Sequence, residues 1–206
     1  MSAAEPSGAR PQLRLAGFAG SLRRESYNRA LLAAAVELAP EGTELEVLDI
    51  AGIPLYDADV EERGDPEAVA AFKRGIAVSD GLLIATPEYN HGVSGVTKNA
   101  IDWASRPPRS SVLSRKPVAL MGASPGMTGT ARGQSQLRQA FGFTNSYVMP
   151  QPEVLVARAR EKFDADGRLV DEATREHLAK VLAAFGAWIE RVSDTGSLDT
   201  PPGAQH

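Results

Sequence analysis

A chain of 206 residues, 43% of them hydrophobic and 23% charged, is long enough to bury a full core and fits one domain better than two. Its formal net charge of -4, with acidic and basic residues interspersed, excludes an extended basic surface for nucleic acid and favours a small-molecule ligand. The lack of cysteine excludes disulfides, thiolate metal sites and thiol nucleophiles, so any redox chemistry must come from a bound cofactor.

The two ends of the sequence differ in composition from the middle. Residues 1–11 and 194–206 are rich in Pro, Gly, Ser and Ala, which predicts disordered tails around one domain at residues 12–193. The opening residues lack the apolar stretch of a secretion signal, and no later run approaches the roughly 20 apolar residues that span a bilayer. We therefore expect a cytoplasmic protein without a membrane partner.

Strands and helices are predicted to alternate along the domain. Short apolar runs predict buried strands, and apolar residues at helical spacing predict amphipathic helices. In chain order we predict strand 13–19, helix 28–39, strand 44–50, helix 67–79, strand 82–86, helix 95–106, strand 117–121, helix 130–141, strand 148–156 and helix 172–191. Residues 51–65 are predicted to be a loop, and strand 44–50, whose apolar residues alternate with polar ones, is expected at a sheet edge.

Five strands alternating with five helices predict an α/β doubly wound fold, in which a mostly parallel sheet carries helices on both faces. Ligands of such sheets bind beyond the carboxyl ends of the strands. The loops after predicted strands one, three and four are therefore the places to look for a site.

The first loop, residues 20–28, reads GSLRRESYN and runs into a helix. The free N–H groups and positive dipole end of a helix N-terminus favour an anion. Ser21, Ser26 and Asn28 can add hydrogen bonds, and Arg23 or its neighbouring arginine can add a charge-assisted one. The loop lacks both GxGxxG and GxxxxGK[ST], which favours a monophosphate. The other interpretation is that Ser26 is only a helix cap beside solvent-exposed arginines.

The second loop, residues 86–95, reads TPEYNHGVSG, and the third, residues 122–129, reads GASPGMTG. Small residues and prolines allow the backbone to approach a flat cofactor ring closely. Tyr89 can contact such a ring and Asn90 can hydrogen-bond its edge, whereas the Glu88 carboxylate is expected to point away from electron-rich aromatic density. Taken alone, the third loop also fits an ordinary turn.

At these residues the sequence resembles the NADPH-dependent FMN reductase family, which includes quinone, azo-dye and chromate reductases. The family pattern G-S-x-R-x-x-S-x-N is matched in full by residues 20–28, and T-P-E-Y-N followed by K-N-A-I-D-W is matched by residues 86–90 and 98–103. The resemblance covers nearly all of the chain except the tails. It implies a flavodoxin-like three-layer sandwich with a five-stranded parallel sheet in the order 2-1-3-4-5.

The resemblance also implies an activity, an FMN-dependent transfer of hydride from NADPH or NADH to a small acceptor such as a quinone, an azo compound, chromate or free flavin. The flavin carries the chemistry, and no catalytic side chain or metal is expected. Ser21, Arg23, Ser26 and Asn28 would hold the FMN phosphate, with Tyr27 in the same segment. The other implied FMN contacts are Pro87, Glu88, Tyr89, Asn90, Ala123 and Ser124.

Arg106 and His91 are weaker candidates for contacts to substrate or NADPH. Arg106 could bind a phosphate or an anionic acceptor, but a cation at a helix C-terminus is favourable in any case. His91 could donate a proton to a reduced quinone or could simply be solvated. His177 and His206 lie too far along the chain to complete a histidine metal site.

The sequence leaves alternatives open for the oligomeric state and for the function. Some relatives carry Tyr where this chain has Ser135 and use it, with residues corresponding to Arg132 and Glu153, between subunits, so a homodimer is favoured over a homotetramer. The rival function is a flavodoxin-like one-electron carrier without its own substrate turnover. Such carriers sandwich the ring between aromatics and are strongly acidic, whereas this chain offers Tyr89 alone and mild charge. A flavin-binding regulatory module is a third interpretation.

Overall fold

The apolar runs of the sequence form the strands of one parallel sheet. The structure, a computed structural model, describes residues 13–194. Its strands are β1 (Leu13–Ala19), β2 (Thr43–Val47), β3 (Gly81–Ala85), β4 (Glu88–Tyr89), β5 (Gly92–Val93), β6 (Pro117–Ala123), β7 (Tyr147–Val148) and β8 (Val154–Val156). Its helices are α1 (Tyr27–Glu37), α2 (Ala58–Glu61), α3 (Glu67–Val78), α4 (Gly95–Ala104), α5 (Ala131–Phe143) and α6 (Glu172–Asp194). The predicted tails lie outside the described residues, except for Asp194 at the end of α6.

The main sheet has the order β2-β1-β3-β6, and both β7 and β8 pair with β6, all of them parallel. This confirms the predicted flavodoxin-like topology, with one correction: the fifth strand, predicted over 148–156, is divided into β7 and β8. Pro150 and Pro152 lie in the division, where a residue without an N–H cannot continue the ladder. Strand β2 lies at the edge, as predicted.

Two hydrophobic clusters, one on each face of the sheet, make the core. Alternate residues of a strand point to opposite faces, so in β3 Leu83 joins one cluster and Leu82 and Ile84 the other. The first cluster is covered by α1 and α6, and the second by α3, α4 and α5. These are the three layers of the sandwich.

Two features of the described chain differ from the predicted elements. The loop predicted over residues 51–65 contains the single-turn helix α2, which Asp57 caps by accepting a hydrogen bond from the Asp59 N–H at 2.9 Å. The second loop folds into the two-residue strands β4 and β5, paired antiparallel as a separate hairpin. None of the helices within residues 13–194 is long and apolar enough to cross a membrane.

Backbone hydrogen bonds continue between the strands just past their carboxyl ends. The Gly20 N–H donates to the Ala85 carbonyl at 2.8 Å, and the Thr86 N–H donates to the Met121 carbonyl at 2.9 Å. The first, second and third loops therefore leave β1, β3 and β6 side by side at one end of the sheet.

Candidate functional site

The first loop leaves a set of hydrogen-bond donors free. Ser26 caps α1, and its Oγ accepts from the Asn28 and Arg29 N–H groups at 3.2 and 3.5 Å. Within residues 13–194, the backbone N–H groups of residues 21–27 and the Ser21 hydroxyl donate no hydrogen bond. Ser21 is nevertheless buried. Free donors gathered at a capped helix N-terminus form a site that suits an anion.

Arg23 lies on the exposed rim of this loop. Its side chain is 68% exposed, and the one ion pair it makes with the described residues is a 3.7 Å contact with Glu25. An exposed pair of this kind contributes little, so the guanidinium is free to turn towards an anion. The neighbouring Tyr27 is half-buried, with its ring 5.3 Å from that of Phe163.

Asn28 faces the interior and joins the first loop to the third. Its Oδ1 accepts from the Ala123 N–H and its Nδ2 donates to the Ala123 carbonyl, both at 2.9 Å. Asn28 and Ala123 are each 3% exposed. The structure thus brings together two predicted site residues that are 95 positions apart, and it bonds them to each other.

The second loop presents Tyr89, Asn90 and His91 at the exposed tip of the β4–β5 hairpin. Asn90 and His91 both adopt positive φ angles, of 51° and 63°, which lets the chain reverse in two residues. Tyr89 is 55% exposed, whereas Pro87 at the base of the hairpin is buried. The tip therefore offers an aromatic ring and an amide to whatever lies beside it.

Glu88 fastens this hairpin to α5. Its carboxylate accepts hydrogen bonds from the Arg132 and Gly133 N–H groups at 2.9 and 3.2 Å and lies 3.4 Å from the Arg132 guanidinium. A carboxylate at a helix N-terminus is stabilised by the free N–H groups and the helix dipole. The Glu88 side chain is only 10% exposed and is directed at α5. Gln136, one turn along α5, accepts from the Val93 N–H at 3.0 Å.

Hydrogen bonds of Ser124 fix the start of the third loop. The Ser124 N–H donates to the Val156 carbonyl at 2.9 Å, and Ser124 Oγ accepts from the Gly126 N–H at 3.0 Å. The Ala123 N–H is occupied by Asn28, so this loop can offer only donors that lie further along the chain.

Three buried hydroxyl residues that the sequence did not single out, Ser94, Thr97 and Thr130, pack against the starts of the first and third loops. Ser94 caps α4, and its Oγ donates to the Gly20 carbonyl at 2.7 Å. A Cβ on Gly20 would lie 1.8 Å from Thr97 Oγ1, and one on Gly122 would lie 1.8 Å from Thr130 Oγ1. A serine just before the apolar stripe of α4 was a visible signal for the cap. The two threonine contacts are between elements distant in sequence and carry no local signal.

Arg106 is not brought together with the three loops. It follows the carboxyl end of α4, a helix of ten residues, whereas Ser94 caps the other end, about 15 Å away along the axis. The Arg106 guanidinium stacks on the Tyr56 ring at 5.5 Å, and its buried Nε has no partner within residues 13–194. The Tyr56 hydroxyl donates to Glu61, and this hydrogen bond raises the pKa of Tyr56 above its ordinary value.

The remaining candidates lie away from the loops or are paired. His177 contacts the Glu153 carbonyl at 2.7 Å, and Glu153 also lies 3.5 Å from Arg138. Ser135 is exposed on α5. In the part of the chain that the structure describes, no group of three or more His, Asp or Glu side chains is placed to hold a metal ion.

Comparisons with known proteins agree on one family. The model of the NADPH-dependent FMN reductases matches residues 13–161. The chain is 48% identical over 180 residues to an NAD(P)H-dependent FMN reductase of Pseudomonas aeruginosa, covering 87% of this chain and 97% of the relative. It is 42% identical over 184 residues to a quinone reductase of Escherichia coli K12, covering 88% and 97%.

A solved structure extends the likeness to three dimensions. The flavoenzyme NAD(P)H:(acceptor) oxidoreductase FerB of Paracoccus denitrificans superposes with a TM-score of 0.80 at 37% identity, covering 87% of this chain and 98% of FerB. The matched region holds the sheet, the three loops and their anchors. This chain belongs to the NADPH-dependent FMN reductase family.

Proposed function

We propose that this protein is an FMN-dependent NAD(P)H oxidoreductase that passes two electrons to a small acceptor such as a quinone. The observation that carries the proposal is the convergence of three loops, each with the family's residues, at the carboxyl end of one parallel sheet. Relatives at 42 to 48% identity are named for FMN and quinone reduction. Their names support the same class of reaction here.

The residues of the three loops fit FMN. A phosphate matches the free N–H groups of residues 21–27, the Ser21 hydroxyl and the Arg23 charge. Gly20 and Gly122 lie where a Cβ would collide with Thr97 and Thr130, so the ends of β1 and β6 pack closely against these threonines below the proposed site. We assign the phosphate to the first loop and the ring to the second and third.

The side chains of this site would bind FMN and orient its ring. When bound, FMN supplies hydride acceptance from NAD(P)H and two-electron delivery to the acceptor, and the protein needs no nucleophile for either. We assign Ser21, Arg23, Ser26 and Tyr27 to the phosphate end. Tyr89 and Asn90 lie on a hairpin whose other end is fixed to α5 by Glu88. Pro87, Ala123 and Ser124 would flank the ring.

For the electron acceptor and the electron donor we propose chemical classes of molecule. An open ring face suits a flat or anionic acceptor, and we rank quinones first because relatives in bacteria and plants are named for them. NADPH is favoured over NADH on the family name. Arg106 and His91 stay proposed contacts for the dinucleotide or the acceptor, with Arg106 the more distant from the loops.

Steady turnover tests the proposal. The purified protein is loaded with FMN and mixed anaerobically with NADPH and benzoquinone, and free FMN at the same concentration is the control. Rapid oxidation of NADPH that requires both protein and quinone supports the proposal. Slow NADPH oxidation with fast single-electron exchange would instead favour the electron-carrier alternative.

We further propose a homodimer acting in the cytoplasm, where NAD(P)H is available. The positions of Arg132 and Glu153 correspond to residues that some relatives use between subunits, and both residues are paired here within the chain. Ser135, where those relatives carry Tyr, has a short side chain. These features support a dimer over a tetramer. Sedimentation equilibrium should give twice the mass of one chain, and four times that mass would overturn the dimer.

A further inference from the structure

Asn28 is a buried amide held between two of the three loops. It is the second residue of α1 and is 3% exposed. Both polar atoms of its side chain bond to one residue, because Oδ1 accepts from the Ala123 N–H and Nδ2 donates to the Ala123 carbonyl, each at 2.9 Å. A neighbouring strand would satisfy Ala123 in much the same way, so Asn28 in effect continues the ladder of β6 into α1.

This bonding leaves Asn28 little capacity for a phosphate. An amide side chain has two N–H donors, and only donors can serve an anion. One of the two is already engaged by the Ala123 carbonyl. In contrast, the Ser21 hydroxyl and the N–H groups of residues 21–27 are unused within residues 13–194. A phosphate at the N-terminus of α1 finds enough donors there without Asn28.

We infer that Asn28 is a positioning residue that holds the third loop against the first, and not a phosphate ligand. The inference rests on the proposed FMN function. Ala123 is the last residue of β6 and is followed directly by Ser124 and the rest of the third loop. By fixing Ala123 to α1, Asn28 sets the spacing between the loop that binds the phosphate and the loop that flanks the ring.

Comparing FMN with riboflavin tests this role, because riboflavin is the same ring and side chain without the phosphate. Dissociation constants for both are measured on flavin-free protein by titration calorimetry. For Asn28→Ala we expect both constants to rise by a similar factor, on the order of tenfold, so that their ratio stays within about threefold of the wild-type ratio. A rise for FMN with an unchanged riboflavin constant would show a phosphate ligand and overturn the inference.

Two other variants serve as controls. Arg23→Ala should raise the constant for FMN and leave riboflavin unchanged, the pattern of a phosphate ligand. Ser146→Ala removes a 2.7 Å hydrogen bond to the Leu113 carbonyl near the amino end of β7, at the opposite end of the sheet. It should lower stability and change neither flavin constant, which separates positioning from general destabilisation.

Hydrogen exchange gives a readout that needs no flavin. In Asn28→Ala, backbone amides of residues 122–129 should exchange faster than in wild type, and Ser146→Ala should leave them unchanged. If Asn28→Ala folds poorly, Asn28→Asp is used. Its carboxylate can still accept from the Ala123 N–H but repels the Ala123 carbonyl, so it should weaken riboflavin, which has no phosphate to be repelled.

The outcomes separate this inference from the proposed function. Wild-type protein that binds neither FMN nor riboflavin contradicts the proposed function itself. Wild-type protein that binds FMN, with riboflavin binding and third-loop exchange unchanged in the Asn28 variants, contradicts the positioning role alone.

Discussion

Individual side chains at the first loop differ in whether they are already bonded within the described chain or lie exposed to solvent. Ser26 and Asn28 are buried and bonded to the backbone, whereas Arg23 and Arg24 are exposed. Only the family pattern distinguishes the two arginines, since its fixed arginine corresponds to Arg23. A pair of adjacent cations with different expected roles gives a matched comparison.

Replacing Arg23 with Ala should weaken FMN binding about ten- to a hundredfold, because one charge-assisted hydrogen bond contributes roughly 1.5–3 kcal/mol. Titration of the flavin-free protein measures the change. Arg24→Ala removes the same charge one residue away and should alter the affinity by a small factor only. Equal effects of the two variants would mean that general attraction, and not a specific contact, acts on the phosphate.

Sequence reasoning at this scale succeeded where the signal is local. Ser26 as the cap of α1 follows from its place before an apolar periodic run, and the structure has it there. The partner of Asn28 lies 95 residues away, and the close packing of Gly20 against Thr97 is a contact between separate elements. Contacts of that kind depend on how the elements pack, which one sequence without its relatives does not reveal.

At the scale of elements, the β4–β5 hairpin depends on α5 more than on its own pairing. Two-residue strands are too short to be stable alone. Glu88 at one strand and Val93 at the other are both bonded to α5, through the helix N-terminus and Gln136. The sequence did not predict the hairpin, because two-residue strands are too short to show periodicity and the centre of the turn lacks glycine.

Glu88→Gln should lower the free energy of unfolding by about 1 kcal/mol, because the neutral amide loses the attraction to the helix dipole and to Arg132. Urea denaturation at neutral pH measures the loss. Glu161→Gln changes a carboxylate that is 68% exposed and lies 3.9 Å from Arg158, and it should have little effect. A similar loss in both variants would contradict the special role of the helix N-terminus.

The start of α6 gives the fold a pH dependence. Hydrogen bonds from Lys162 and Thr174 hold the pKa of Asp171 at about 2, below its ordinary 3.8. The folded state therefore binds this proton less readily than the unfolded state, so the contribution of Asp171 is complete above pH 3.8 and is lost as the pH falls towards 2. The stability advantage of wild type over Asp171→Asn should shrink between about pH 5 and pH 2 in urea titrations. A constant difference would contradict the lowered pKa.

For the whole molecule, the alternation of strand and helix signals was enough to predict the fold, because parallel strands joined by helices permit few arrangements. What it could not predict was the division of the last strand, where prolines interrupt pairing, or the extra turn α2. The second part of the divided strand, β8, bonds to the third loop through the Val156 carbonyl. The position of the site at the carboxyl end was still predictable, because it follows from the parallel order of β1, β3 and β6.

The proposed FMN site at one end of the sheet has a kinetic consequence. If NADPH and quinone occupy the same space in turn, initial rates measured while both are varied should give parallel lines in double-reciprocal plots. The expectation rests on the proposed single flavin site, whose three loops leave adjacent strands at the same end of the sheet. Intersecting lines would require both molecules to be bound at once and would contradict a shared position.

The contacts of Gly20 with Thr97 and of Gly122 with Thr130 restrict the substitutions that positions 20 and 122 tolerate. A side chain at position 20 or 122 would have to share space with the hydroxyl of Thr97 or Thr130, 1.8 Å away. In a randomised library selected for folded protein, single replacements of Gly20 or Gly122 should be lost. Survivors at position 20 should carry a second change to alanine or glycine at position 97. Position 122 is more restrictive, because the Thr86 carbonyl also lies 2.5 Å from the added carbon and no side-chain replacement can move it.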